Sequence, residues 1–235
     1  MMNSKILYKD SAVSPVIGVL LMLVVTIIIA AIVSGFAGGL AGSQQKAPQA
    51  SFDIKTQYPV VTNGVGYETT GFDLFFTHKG GDTINSKDTQ IITWLTLPNG
   101  TVVKHTQTPT SVAARTSGTG ATAKYTRFPY FRDSMLSASQ SLTAAQIAAG
   151  QESPVWWGQV SISTGQAVRV STKSGVAAFL GLIDSTKVYP YDATAYNDGI
   201  ELLNQSITNK TKLDVKWLDI PSQKYIFEKS IQMEG

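Results

Sequence analysis

The chain has 235 residues, with 19 Lys and Arg against 16 Asp and Glu for a formal net charge of +3. The cations are scattered rather than clustered, so the charge carries no nucleic-acid footprint. The absence of cysteine excludes a disulfide framework, thiolate zinc, iron–sulfur ligation and cysteine nucleophiles, and two histidines leave a His-rich metal centre out of reach.

The first element in chain order is also the most apolar. Residues 11–45 carry no charge, and residues 13–40 read VSPVIGVLLMLVVTIIIAAIVSGFAGGL. That run exceeds the roughly 20 residues a helix needs to cross a hydrocarbon core. As a helix it would extend about 42 Å against a core of about 30 Å, so its Gly-rich end is predicted to emerge on one side. It is too long for the apolar region of a secretory signal, usually about 7 to 15 residues. Apolar residues surround it on all sides, which demands burial in lipid or among other helices. Small residues fall on two lines at four-residue spacing: Ala30, Ser34, Gly38 and Gly42, and beside them Ala31, Gly35 and Gly39. Such lines let helix backbones approach closely, although glycine and alanine are also common in membrane spans generally.

At the start of this element, Asp10-Ser11-Ala12 followed by Val13-Ser14-Pro15-Val16-Ile17-Gly18-Val19 closely resembles archaeal type IV pilins. The resemblance implies a leader, residues 1–12, that a prepilin peptidase removes between Ala12 and Val13. It also implies a hydrophobic transmembrane and filament-core helix over 13–42, a hinge over 43–50 and an extracellular β-rich domain over 51–235. The implied product is a homo-oligomeric helical filament on the cell surface, adhesive in character, built by an assembly ATPase and membrane platform from membrane-held precursors. Lys5 and Lys9 in the leader agree with a cytoplasmic start. Pro15 suits a first helical turn, where its missing amide has no intrahelical partner anyway. Bacterial pilins have glutamate where this chain has Ile17, so the match is to the archaeal branch. Archaellins, the related motility-filament subunits, are the nearest alternative.

Beyond the hinge, alternation and β-branched or aromatic enrichment predict strands near 51–57, 71–78, 89–97, 101–106, 155–163, 166–171, 176–183, 213–219 and 223–229. Leu213, Val215 and Trp217 alternating with Asp214 and Lys216 mark a strand with one buried face. Asn99-Gly100 is a hairpin signal and Gly80-Gly81-Asp82 a turn. Thr143 and Gln146 have capping-box spacing ahead of Gly150, which predicts one short helix over 143–149. The fold class expected is a long N-terminal hydrophobic helix followed by an all-β, antiparallel, sandwich-like domain, a pilin-like lollipop. The strand 74–84 with its Gly-Gly-Asp turn, and residues 219–227, also resemble parts of archaeal pilin domains.

The remaining motifs are weak. Gly118-Thr119-Gly120-Ala121-Thr122-Ala123 fits a GxGxxA pattern but sits in a Ser, Thr and Gly-rich tract without a preceding strand, so a flexible surface loop from about Thr106 to Ala123 is the better account. Lys124 to Arg132 interleaves aromatics with cations and reads first as a packed core edge with solvated arginines; if the protein is an adhesin, this stretch and Trp156-Trp157 are the places to look. Tryptophans adjacent on a strand point to opposite faces, which would leave one at an interface. His78 and His105 read as ordinary turn or strand residues, and Asp192, Asp198 and Glu201 could gather calcium only as a loop without EF-hand spacing, so neither a metal nor a cofactor is the expectation, with calcium the open alternative. Sequons occur at Asn99, Asn204 and Asn209, of which the latter two are the less tied to a turn. Two rival classes remain: a single-pass anchored surface protein that binds a partner, and an anchored hydrolase needing a convergence of histidine or carboxylates.

Overall fold

A proline at the head of a charge-free apolar run opens the first element, helix α1, Pro15–Gly42. The computed structural model describes residues 15–42, 46–57, 71–117, 120–131, 141–185 and 193–234. The chain divides into two compact units, Met1–Gln45 and Lys46–Gly235. Ala12 and Val13 lie outside the described residues, as do Asp192 and Arg132.

The second unit begins with β1 (Ala50–Gln57), β2 (Asp73–Gly81), β3 (Ile84–Asn85), β4 (Thr89–Thr96), β5 (Val102–Gln107) and β6 (Ala114–Ser117). There follow β7 (Lys124–Thr126), β8 (Tyr130–Phe131), β9 (Leu142–Thr143), α2 (Ala144–Ala148), β10 (Ser161–Ile162) and β11 (Ala167–Val170). The last elements are α3 (Lys173–Phe179), α4 (Ala193–Thr208), β12 (Lys212–Asp219) and β13 (Lys224–Gln232). Two four-stranded sheets dominate, ordered β1-β2-β11-β8 and β13-β12-β4-β5, with smaller pairings β10-β3 and β6-β7-β9, and each of these pairings is antiparallel. The expected architecture, an apolar helix followed by an antiparallel β-domain, is therefore the one observed.

The core lies where inward residues of the two large sheets meet. Trp217 of β12 stacks on Phe52 of β1 with ring centroids 4.1 Å apart and reaches Phe76 of β2 at 5.7 Å. The alternation of β12 does this: Leu213, Val215 and Trp217 are all 0% exposed, while Asp214 and Lys216 are not buried. The β4–β5 hairpin turns at Asn99-Gly100 as expected, with Gly100 at φ 83 and its amide bonded to the Leu97 carbonyl at 2.9 Å. Gly81 has φ 105, and a Cβ there would stand 2.2 Å from the Gln49 carbonyl oxygen, so only glycine fits where β1 begins alongside.

Three expected elements differ from the structure, and one helix is unexpected. The surface loop expected from Thr106 to Ala123 contains β6, which pairs with β7, and Ala113, Ala114, Arg115 and Ala123 are buried. Residues 176–183 form helix α3 and its cap, because an unbroken apolar run does not distinguish a strand from a buried helix. The Thr172 hydroxyl accepts from the Gly175 amide at 3.2 Å, and Leu182 and Gly181 donate to Ala177 and Ala178 to close the helix on Gly181 at φ 77. Residues 154–159 make turns with a single bridge from Trp156 to Tyr130, and Ser161–Ile162 is the part of the expected 155–163 strand that forms a ladder, with β3. Helix α4 has no counterpart among the sequence expectations. Its apolar positions Tyr196, Ile200, Leu203 and Ile207 have helical spacing but stand among Asn, Asp, Gly, Ser and Thr, all poor helix formers. Gly199 makes the packing possible, since a Cβ there would meet Ile183 Cγ1 at 2.3 Å.

Candidate functional site

Helix α1 is the outstanding surface of the chain. From Val16 to Phe36 every residue is exposed, with Met22 70% and Phe36 69% exposed, and the segment holds no ionisable side chain. Val16–Phe36 is long and apolar enough to cross a membrane. The hydroxyl of Thr26 is satisfied within the helix, donating to the Leu23 carbonyl at 2.9 Å. Apolar surface of this extent is stable only under lipid or other apolar helices. Of the small residues expected to mediate close packing, Ala30, Ala31, Ser34 and Gly35 lie on the exposed stretch, and a Cβ built on Gly35 meets nothing within 4 Å. Gly38, Gly39 and Gly42 continue the same helix.

The candidate catalytic and ligand residues behave differently. His78 is 0% exposed, its Nε2 lies 2.9 Å from the Asp82 carbonyl oxygen, and its ring meets Phe52 edge-on at 4.8 Å. His105 sits against Gly181; burial pushes its pKa down, while a hydrogen bond to the Phe179 backbone opposes that. Among the described residues no three His, Asp or Glu side chains gather to hold a metal. Asp198 and Glu201 are exposed on α4, Glu201 accepting from Gln205 Nε2 at 3.0 Å.

The aromatic and basic stretch packs into the core as expected, but Arg127 is buried rather than solvated, because loop carbonyls and a carboxylate take its donors. Arg127 is 7%, Phe128 4% and Tyr130 3% exposed. Arg127 donates through Nε to the Ser111 carbonyl at 2.7 Å, through Nη1 to Pro109 and Trp157 at 2.8 and 3.3 Å, and through Nη2 to Glu152 at 2.7 Å. Its guanidinium thus ties three loop segments together and leaves little for an outside ligand. A second knot joins strands: Arg169 donates to the Tyr130 hydroxyl at 2.9 Å and to Asp73 at 3.3 Å, and Asp73 also accepts from the Thr172 amide. The expectation that Trp156 or Trp157 faces an interface is overturned, since they are 1% and 0% exposed. They occupy a turn rather than a strand; Trp156 bridges to Tyr130 and Trp157 Nε1 donates to the Thr89 carbonyl.

The sequons fall in three environments. Asn99 and Thr101 are both exposed at the β4–β5 turn. Asn204 lies within α4, its Oδ1 accepting from Lys173 Nζ at 2.8 Å, and its partner Ser206 is 0% exposed with the hydroxyl donating to Leu202. Asn209 is exposed just past α4, but its Nδ2 donates to the Gln205 carbonyl and the Thr211 hydroxyl is buried without a partner.

Residues 11–52 match the family described as archaeal type IV pilin, N-terminal. No curated protein matches the chain. The matched region contains α1 whole and the first residues of chain that enter the β-domain. An uncharged helix, exposed from Val16 to Phe36, thus precedes an antiparallel β-domain, and it lies within the stretch of this chain that is similar to the N-terminal region of archaeal type IV pilins.

Proposed function

We propose that the chain is the precursor of an archaeal type IV pilus subunit, cut between Ala12 and Val13 by a prepilin peptidase and assembled through α1 into an extracellular filament. The observation that carries this reading is the exposed, charge-free helix within the pilin-matching region. One apolar surface serves two stages. Lipid covers it in the membrane-held subunit, and copies of the same helix cover it in the filament, because the backbone amides are already paired within the helix. The lines Ala30-Ser34-Gly38-Gly42 and Ala31-Gly35-Gly39 are the close-approach faces in that core. An assembly ATPase and membrane platform supply the work, and the β-domain faces outward as an adhesive surface.

Filaments sheared from cells are expected to contain this polypeptide with Val13 as its first residue by mass spectrometry. An intact chain beginning at Met1 and confined to membranes would sink the reading and favour a single-pass surface protein. Glycosylation follows the sequon geometry: Asn99 is the site expected to carry sugar. A glycan on Asn204 would cost the Lys173 hydrogen bond, and its serine is enclosed. Asn99→Gln is expected to lower the mass of the filament subunit by one glycan and Asn204→Gln to leave it unchanged; the reverse pattern would show that modification ignores the folded surface.

A further inference from the structure

Where the chain enters the β-domain, an open groove of about 610 Å³ runs between Lys46–Ser51 and the start of β13 at Lys224–Ile226, with Gly80 at its side. Its lining holds two exposed lysines, Lys46 and Lys224, and no carboxylate. The neighbouring carboxylates are engaged: Asp82 accepts from the Gln49 amide and Asp219 from the Ser222 amide, each at 2.9 Å. The Asp82 amide in turn donates to the Gln49 carbonyl at 2.8 Å, so one wall is pinned from both sides. Tyr225 on the opposite wall is 50% exposed and holds Lys216 Nζ 4.9 Å from its ring centroid. The groove therefore presents cations and an aromatic rim that suit an anion attached to an apolar body.

Chain length limits what can lie opposite. Three residues separate Gly42 at the end of α1 from Lys46. Four extended steps carry Lys46 no more than about 14 Å from the helix end. A helix of about 42 Å overshoots a core of about 30 Å by roughly 12 Å, and the headgroup layer is about 5 to 7 Å deep, so a residue within about 14 Å of the helix end can reach that layer even when the whole overshoot falls on the Gly-rich side. Lysine and tyrosine are residues that settle at this depth, the first on anionic headgroups and the second at the interface.

Resting on the reading of the chain as a membrane-held subunit before assembly, we propose that this groove binds the phosphate of anionic lipid headgroups. Lys46 and Lys224 are its cations, and Tyr225 lies at the interface. The contact orients the β-domain on the membrane until the helix is withdrawn into a filament.

The full chain, reconstituted into vesicles of phosphatidylcholine alone or of phosphatidylcholine with phosphatidylglycerol, tests this through lysine acylation by an impermeant amine reagent, read residue by residue. Labelling of Lys46 and Lys224 is expected to fall about fivefold in the anionic vesicles. That of Lys104 and Lys210, away from the groove, stays unchanged. The difference should collapse at roughly 1 M salt, where screening acts within about 3 Å. Equal labelling of Lys46 and Lys224 in the two lipids overturns the proposal, whether both are reactive or both protected. Alkaline extraction separates this failure from that of the parent reading. A chain inserted in both vesicles but labelled equally loses only the headgroup site, whereas a chain stripped from both loses the membrane-held state and the proposal with it.

Discussion

Trp217→Ala is expected to destabilise the β-domain by about 3 to 5 kcal/mol, the usual cost of truncating a buried aromatic to alanine. The indole is 0% exposed and meets Phe52, Phe76 and Trp157 at centroid distances of 4.1, 5.7 and 5.1 Å, so the cavity opens between both sheets rather than at a rim. For a unit of this size, that loss lowers the midpoint of thermal unfolding by roughly 6 to 20 °C. Trp217→Phe should cost less, because it keeps most of the ring contact and removes an indole N–H that is buried without a partner. Near-ultraviolet circular dichroism of the detergent-solubilised chain during heating measures both. A midpoint unmoved by the alanine variant would mean that the two sheets are not joined through this residue.

Arg127→Met is expected to cost about 3 kcal/mol by a different route. The ion pair with Glu152 is the smaller part, since Glu152 is 37% exposed and solvent screens it. The larger part is the carbonyls of Ser111, Pro109 and Trp157, which lose a charged donor at 2.7, 2.8 and 3.3 Å. Gly158 packs its backbone against Pro109, where a Cβ would stand 2.4 Å from the carbonyl oxygen, so the loop has little room to admit water in place of the guanidinium. Arg127→Lys should recover less than half the loss, because an ammonium lacks the fork that reaches several acceptors at once. The hydrogen bond from Arg127 is also the first cause holding the Glu152 carboxyl below its ordinary value of 4.5, ahead of the opposing effect of burial. A carboxyl whose folded pKa is depressed adds stability that is present above its unfolded pKa and is lost as pH falls through the folded one. Equilibrium unfolding of the parent should therefore weaken as the pH drops below about 4.5, with the variant's curve flatter over that window. A methionine variant as stable as the parent, with the same acid limb, would show that the guanidinium is not what ties these loops.

Features carried by local sequence can be read before the fold. Charge-free length marks α1, and two-residue alternation marks β12, because each depends only on neighbouring residue types. The Thr143–Gln146 capping box and the Asn99-Gly100 turn are legible for the same reason and are present. Helix α3 passes for a strand because its apolar run is buried on more than one side and loses periodicity, though Thr172 and Gly181 stand at its two ends as caps. Helix α4 has the period but not the propensity, and packing through Gly199 supplies what the intrinsic preferences lack.

The sequence by itself determined the apolar, uncharged helix, the pilin-like residues at its start and the antiparallel β character of the domain that follows, all of them one-dimensional patterns. Only the tertiary structure decided that Trp156 and Trp157 are core, that Arg127 spends its donors on loop carbonyls, and that Lys46 and Lys224 share a groove free of carboxylate. The physical reason is distance along the chain. Lys46 and Lys224 stand at opposite ends of the β-domain in sequence, and Trp157 finds its acceptor on Thr89, so whether each side chain is satisfied, buried or free depends on strand pairings that no local pattern contains.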